Sequence, residues 1–372
     1  MKVHKESFLN LQRLYHETSE KALSPKTKYV IFSDLHLGNG GKSDDFKPNS
    51  ALVIRSLEDY FEQGYTLILN GDIEELQRFS LTDIQQAWPE FYDLLRSFHG
   101  EGRLLKLIGN HDSILPGIRD YPFPVYDALR FSWKGNTIFI FHGHQTIRRF
   151  QKENEILTFI LRHLATPLGI KNYSVSHSSS KRFTTEKRVY QFSSISRVMS
   201  VIGHTHRPLF ESMSKVDTIR FEIERLCRKY PSVSESKKKN IRGAIEDLKK
   251  DLTQIIESED ELATRRSLYN ANLVVPCMFN SGTTIGKRGI TCLEIESGEI
   301  VLKHWFDRGR SKRYLTYETI PAHPLGSSNY YYIEIKRDSL DYIFSRIQLL
   351  GGPEMAGNLG NFEDFSDLLS RD

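Results

Sequence analysis

The stretch that decides the fold is KYVIFSDLHLG, residues 28–38. Its apolar run, Tyr29–Phe32, ends abruptly in the sequence Ser33-Asp34-Leu35-His36. Short apolar runs between polar breaks recur at Leu67–Leu69, Leu104–Ile108, Thr137–Phe141 and Val201–Ile202. Runs of this kind are typical of strands that are buried on both faces of a sheet.

Two helix-like stretches, Ala51–Gln63 and Ile84–Phe98, lie between the first three apolar runs. An alternation of strands with helices predicts an α/β fold in layers, with mostly parallel sheets flanked by helices. Two further strands are predicted at Gly289–Ile295 and Glu299–Trp305, near the end of this pattern.

Polar clusters directly follow five of the apolar runs. In chain order they are Asp34-Leu35-His36, Gly71-Asp72, Gly109-Asn110-His111-Asp112, His142-Gly143-His144 and Gly203-His204-Thr205-His206. Because ligands of α/β sheets bind outside the carboxyl ends of the strands, we expect these clusters to meet at one rim. Six of the 13 histidines of the chain lie in them, which indicates a site rather than scattered polarity.

The side chains in these clusters indicate a metal centre. Asp and Asn oxygens mixed with His nitrogens, without a thiolate, suit divalent metals such as Mn, Fe or Zn. Seven candidate ligands exceed what one tetrahedral ion needs, so we expect two ions. Asp72, which lies between the other clusters in the sequence, is the natural bridging ligand. Two ions about 3.5–4 Å apart can activate a water and clamp both oxygens of a displacement at phosphorus.

The order D-x-H, G-D, G-N-H-D, H and G-H-x-H resembles the calcineurin-like metallophosphoesterase superfamily. This resemblance implies a four-layer α-β-β-α sandwich and hydrolysis by a metal-activated hydroxide. It implies one metal ion held by Asp34, His36, Asp72 and His206, and a second held by Asp72, Asn110, His142 and His204. His111 would contact the phosphate and protonate the leaving oxygen, while Asp112 would orient its ring. Manganese is the expected metal, with iron or zinc as alternatives.

Three segments depart from the strand and helix alternation. We predict an N-terminal helix within residues 1–26, a phosphoesterase domain over 27–320 and a C-terminal extension over 321–372. Within the domain, 145–199 is predicted to form a helical cap. Residues 211–271 are predicted to form a helical hairpin with Lys237-Lys238-Lys239 at its tip, solvated or used for homo-oligomer contacts.

Substrate specificity must come from these insertions, because the metal site alone does not determine it. The SDLHLG and GDIEE spacing and the long cap resemble UDP-2,3-diacylglucosamine pyrophosphatases, in which the insertion covers acyl chains. An apolar cluster within 156–164 of the cap suits a lipid-binding lid that rests on a membrane surface. Substrate phosphates would be bound by Arg148, Arg149, Lys181 and Arg182. Those enzymes carry Arg at the position of His111, so the chain resembles a relative of that group.

Other functions stay open at this stage. The same metals would serve a phosphoprotein phosphatase or a nuclease, so nucleic acid is not excluded as a partner. A net charge of +4 is too mild to argue for it. A metal-binding scaffold that uses the hairpin to bind partners is a more remote alternative. We expect His144 to lie beside the metals or in solvent rather than to bind a metal. For Glu75 we favour a charge at a helix N-terminus over a partner of the metal ligands.

Composition predicts a reduced, cytoplasmic protein, and the apolar cluster of the cap adds peripheral contact with the inner face of a membrane. The chain of 372 residues is 39% hydrophobic and 26% charged, as in ordinary globular proteins. Its apolar runs are far shorter than the ~20 residues of a membrane span, and the N-terminus does not resemble a signal peptide. The three cysteines are far apart, which excludes a disulfide framework and a thiolate zinc site.

Overall fold

A computed structural model describes residues 4–146, 179–212, 219, 223, 226, 227, 230–258, 275–311 and 321–352. Its strands are β1 (Glu20–Ala22), β2 (Lys28–Phe32), β3 (Thr66–Asn70), β4 (Leu104–Leu107), β5 (Val125–Tyr126), β6 (Ala128–Trp133), β7 (Asn136–Phe141), β8 (Met199–Ile202), β9 (Met278–Asn280), β10 (Ile290–Glu296), β11 (Glu299–Asp307), β12 (His323–Pro324) and β13 (Tyr330–Ser339). Its α-helices are α1 (Lys5–Glu17), α2 (Ser50–Glu62), α3 (Leu81–Ala87), α4 (Pro89–Gly100), α5 (Ser179–Ser196), α6 (Glu235–Ser258) and α7 (Leu340–Leu350).

The strands form two sheets. One has five strands in the order β1-β6-β7-β8-β9, and the other has eight in the order β12-β13-β11-β10-β2-β3-β4-β5. Successive side chains of a strand point to opposite faces. Accordingly Ile31 and Ile68 pack toward the five-stranded sheet, whereas Val30 and Leu67 pack under α2 and α4. Helices α1 and α5 contribute Phe8, Phe192 and their neighbours to the core that contains Ile31 and Ile68. The four-layer α-β-β-α sandwich is therefore confirmed.

The prediction of mostly parallel sheets is wrong for the larger sheet. Strands β2 to β5 are parallel, but β10, β11, β12 and β13 add four antiparallel pairings. Strands β10 and β11 are joined only by Ser297 and Gly298, both at positive φ of 53° and 77°. A two-residue turn of this kind forms a hairpin, and a hairpin makes its strands antiparallel.

Two helix predictions also need correction. The stretch Ile84–Phe98 is divided into α3 and α4, because Pro89 lacks the N–H that a continuous helix needs and instead begins α4. In the second insertion, Lys237-Lys238-Lys239 lies within α6, not in a turn. Glutamate and lysine have good helix propensity, so α6 already begins at Glu235.

The chain after residue 321 contributes to the sandwich. Strand β13 pairs with β11 over nine residues, and α7 buries Leu340, Ile343 and Phe344 in the same core as Ile31 and Ile68. The weak sequence pattern of this segment did not predict β13, which lies between β11 and the two-residue edge strand β12. Among the residues that the structure describes, none of the helices combines the length and the apolar character that a membrane crossing requires.

Candidate metal centre

The predicted ligand clusters follow the carboxyl ends of β2, β3, β4, β7 and β8. In their loops the backbone turns sharply, and five non-glycine residues adopt left-handed φ angles. They are Asp34 (55°), His36 (51°), Asp72 (55°), His204 (64°) and His206 (54°). Such angles are uncommon for residues with a side chain and are concentrated at functional sites. The strained turns aim the side chains from both sheets into one volume.

One group of candidate ligands consists of Asp34, His36 and His206. His206 Nε2 lies 3.1 Å from Asp34 Oδ1 and 3.1 Å from His36 Nε2. The backbone N–H of His204 donates to both Asp34 oxygens at 3.1 and 3.0 Å, which fixes the carboxylate. All these ligand atoms lie within 4.8 Å of one another, close enough to share one cation.

A second group consists of Asp72, His142 and His204. His142 Nδ1 lies 2.8 Å from the carbonyl oxygen of Asn70, so the ring donates there and presents Nε2 to the site. That Nε2 is 3.1 Å from Asp72 Oδ2 and 4.0 Å from Asp34 Oδ1. Burial lowers the pKa of His142, but the carboxylates of Asp72 and Asp34 raise it to about 9. The site thus favours positive charge where a metal ion would bind.

Asn110 completes the second group. It is almost fully buried, and its Oδ1 atom has no hydrogen-bond partner within the described part of the chain. An orphaned buried carbonyl oxygen is costly unless a ligand satisfies it. The donor set of carboxylate, amide oxygen and imidazole therefore fits divalent metal ions.

His111 is held by Glu75. The ring Nδ1 of His111 lies 2.8 Å from Glu75 Oε1, and the other oxygen of that carboxylate lies 3.0 Å from Nδ1 of His36. Burial lowers the pKa of His111, but the carboxylates of Glu75 and Asp72 outweigh this and raise it to about 10. The expectation that Glu75 is a helix-terminal charge is wrong. It is buried, and it orients two histidines at once.

Asp112 does not have the role predicted for it. Its Oδ1 accepts from the N–H of Gly109 at 2.5 Å, and its Oδ2 accepts from the N–H of Ile73 at 2.8 Å. Asp112 therefore joins two loops, while Glu75 takes the position on the His111 ring. The sequence places Asp112 next to His111, but neighbouring side chains in a tight loop point in different directions.

The remaining predicted residues lie around this centre. The ring of His144 is 5.5 Å from that of His142, and burial together with the charge of His142 lowers its pKa to about 3. Arg182 is partly buried in α5. Arg148, Arg149, the apolar cluster within 156–164 and the side chain of Lys181 lie outside the described residues.

Gly109 offers a test of how tightly the centre is packed. A Cβ atom at this position would lie 2.1 Å from Asp72 Oδ1 and 2.4 Å from the Asp72 backbone nitrogen. We expect Gly109→Ala to displace the Asp72 carboxylate and to weaken metal binding by about 10–100-fold, although it removes no ligand. Equilibrium dialysis against Mn²⁺ measures this, with Gly117→Ala as control because nothing lies within 4 Å of its Cβ position. Wild-type metal binding by Gly109→Ala would show that a Cβ atom at this position does not displace the Asp72 carboxylate.

The match to a known family agrees with this geometry. Residues 27–208 match the family model described as calcineurin-like phosphoesterase. Among solved structures, the chain is similar to the phosphoesterase YfcE from E. coli, with 12% identity and a TM-score of 0.31. That match covers 74% of this chain and 91% of YfcE. No curated protein matches the chain.

Fold and site together define the class: a metal-dependent hydrolase of phosphoesters. More specifically, residues 27–208 are similar to the calcineurin-like phosphoesterases. This similarity implies divalent metal ions, and three overlapping clusters of His and Asp side chains, the third made of His36, Asp72 and His111, provide candidate places for them.

Proposed function

We propose that the two ligand groups hold two divalent metal ions and that the enzyme hydrolyses a phosphodiester or pyrophosphate bond. One ion would be held by Asp34, His36, Asp72 and His206, the other by Asp72, Asn110, His142 and His204. The observation that carries the proposal is the position of Asp72, which lies against His36 and His111 on one side and His142 and His204 on the other. Bound there, the ions supply an activated water and positive charge for the phosphoryl oxygens. Manganese is the metal we propose, with iron or zinc as alternatives.

His111 would donate a proton to the leaving oxygen. Glu75 occupies Nδ1, and Nε2 lies 4.0 Å from Asp72 Oδ2, so this nitrogen faces the proposed ions. The carboxylates around the ring hold it protonated, as a general acid requires. A proton helps an alkoxide to leave more than it helps a phosphate, because the alkoxide is much the stronger base. This favours a phosphodiester within the proposed substrate class.

The substrate we propose is lipid-linked or a nucleotide, with Arg148, Arg149, Lys181 and Arg182 against its phosphates. Only residues 147–178 of the predicted 145–199 cap would cover it, because residues 179–196 form α5 and place Phe192 in the core of the sandwich. Support comes from the sequence of the cap, whose apolar cluster precedes basic residues. We propose that the protein works in the cytoplasm, in peripheral contact with the inner face of a membrane. A homo-oligomer through 211–271 belongs to the same proposal.

The test is phosphorus-31 NMR on the Mn²⁺-loaded protein with four substrates: a lipid-linked nucleotide diphosphate, a cyclic nucleotide, a short DNA and a phosphopeptide. Cleavage of either of the first two supports the proposal, and comparison between them separates pyrophosphate from diester. Cleavage of the phosphopeptide or DNA alone would replace it with a phosphatase or a nuclease. Two bound metals without any cleavage would point to the scaffold alternative.

Glu75→Gln tests the pairing with His111. We expect turnover to fall by about 100-fold, because the amide no longer holds the imidazolium. The negative charge of Glu75 also determines the direction in which the pH profile shifts. Loss of the carboxylate lowers the pKa of His111 from about 10 toward its ordinary value, so the alkaline limb of the rate profile moves to lower pH. Glu58→Gln, on an exposed side chain, is the matched control. An unchanged alkaline limb would show that Glu75 does not set the protonation of His111.

A further inference from the structure

A lysine is buried in the larger sheet, on the strand next to the edge strand β5. Lys106 belongs to β4, and its side chain is fully inaccessible to solvent. Its Nζ atom lies 2.8 Å from Glu74 Oε2 and 3.5 Å from Asp112 Oδ2. A buried ammonium group is tolerated only with partners of this kind, because removal from water is costly.

The two carboxylates that Lys106 binds come from different loops of the metal centre. Glu74 lies in the loop after β3, between Asp72 and Glu75. Asp112 lies in the loop after β4, next to His111. One ammonium group thus contacts a carboxylate from each of the two loops.

Both carboxylates are held on their remaining atoms as well. Tyr92 and Tyr121 donate to Glu74 Oε1 at 3.0 and 2.7 Å. Asp112 Oδ1 accepts the N–H of Gly109 at 2.5 Å, and its Oδ2 also accepts the N–H of Ile73, in the first loop, at 2.8 Å. A polar network in which every member is satisfied makes a rigid support. The position of each loop is therefore tied to the position of the Lys106 ammonium group.

We propose that Lys106 is a positioning residue, whose contacts with Glu74 and Asp112 set the separation of the loops that carry Asp72 and Asn110. The inference rests on the proposed function, since these two residues are ligands of the second ion there. Buried ion pairs contribute little to net stability compared with apolar residues of the same volume. Replacing the pair by uncharged side chains should therefore affect the geometry of the metal site more than the folding of the chain.

The experiment uses the double variant K106M/E74Q, which removes one positive and one negative charge together. Mn²⁺ binding is followed by equilibrium dialysis, stability by thermal unfolding, and activity by kcat and KM. We expect one of the two binding constants for Mn²⁺ to weaken about tenfold. With Mn²⁺ saturating, kcat should fall more than KM changes, because the loop separation matters most in the transition state.

Tyr121→Phe is the matched control, since it removes one hydrogen bond from the same Glu74 and leaves the contacts of Lys106 with both loops. We expect it to lower the melting temperature while both Mn²⁺ constants stay at their wild-type values. Wild-type Mn²⁺ constants in folded K106M/E74Q would overturn the proposal, as would an equal loss in Tyr121→Phe. Should the double variant not fold, Lys106→Arg keeps the charge but lengthens the side chain, and wild-type metal binding by it would overturn the proposal too. Failure of the wild-type protein to bind Mn²⁺ would instead contradict the proposed function itself.

Discussion

Asp72→Asn is expected to lose bound metal and to reduce turnover by about 1,000-fold or more. Asp72 shares one cluster with His36 and His111 and another with His142 and His204. Its Oδ2 lies 3.1 Å from His142 Nε2, and the N–H of His111 donates to its Oδ1 at 2.8 Å. Its buried carboxylate is surrounded by His142 and His111, which hold its pKa well below the ordinary value despite the opposing effect of burial. An amide has no charge to offer, and several kcal/mol of transition-state stabilisation by the ions correspond to about three powers of ten in rate.

Metal analysis and turnover should be measured on the same sample of Asp72→Asn. Asp93→Asn is the matched control, because this carboxylate is 69% exposed on α4 and belongs to no ligand group among the described residues. The control should keep wild-type metal content and rate. If Asp72→Asn kept both metals and full turnover, Asp72 would not bridge the two groups.

His111→Ala should behave differently, with turnover reduced by about 100- to 10,000-fold and metal content retained. In the proposed assignment His111 binds no metal. Its ring is held by Glu75 and its Nε2 faces the centre, so its loss removes a proton donor. The deficit should be smallest for substrates whose leaving group is a weak base, such as p-nitrophenol, because these need little protonation.

The turnover of His111→Ala should therefore be measured on p-nitrophenyl and alkyl esters of the same phosphate. A larger loss on the alkyl ester identifies His111 as the proton donor rather than as a structural residue. His99→Ala removes an exposed histidine on α4 and serves as control for general effects of the substitution. Equal losses on both esters would assign His111 to substrate binding instead of proton transfer. Loss of metal from His111→Ala would make it a ligand, as its place in a group with His36 and Asp72 allows.

The sequence predicts that these side chains converge, because each motif follows a strand. Once five short apolar runs are recognised as strands, the carboxyl ends of the parallel ones must lie near one rim, and the polar residues after them converge. The structure does bring Asp34 and His206 together, although 172 positions separate them in the chain, and the same is true of Asp72 and His204. No single motif would have shown this, since each alone is only a turn.

The contacts that hold the ligands and their loops in position could not be predicted in the same way. Glu75 and Asp112 are both acidic and both lie near His111, and the sequence offers no reason to prefer Glu75 for its ring. The choice depends on the direction in which each loop leaves its strand. The burial of Lys106 could not be predicted either, because a lysine within an apolar run usually lies on the solvent side of a strand.

The sequence by itself determined the α/β class, the five strand ends and the set of polar side chains that meet there. These follow from local periodicity and from the rule that parallel strands end at one edge. Only the tertiary structure decided that Glu75 orients His111, that Asp112 joins two loops, and that β10 to β13 make the larger sheet half antiparallel. The physical reason is that hydrogen bonds form between residues that are brought together in space, and their partners depend on loop directions and turn geometry. A linear pattern does not contain those directions.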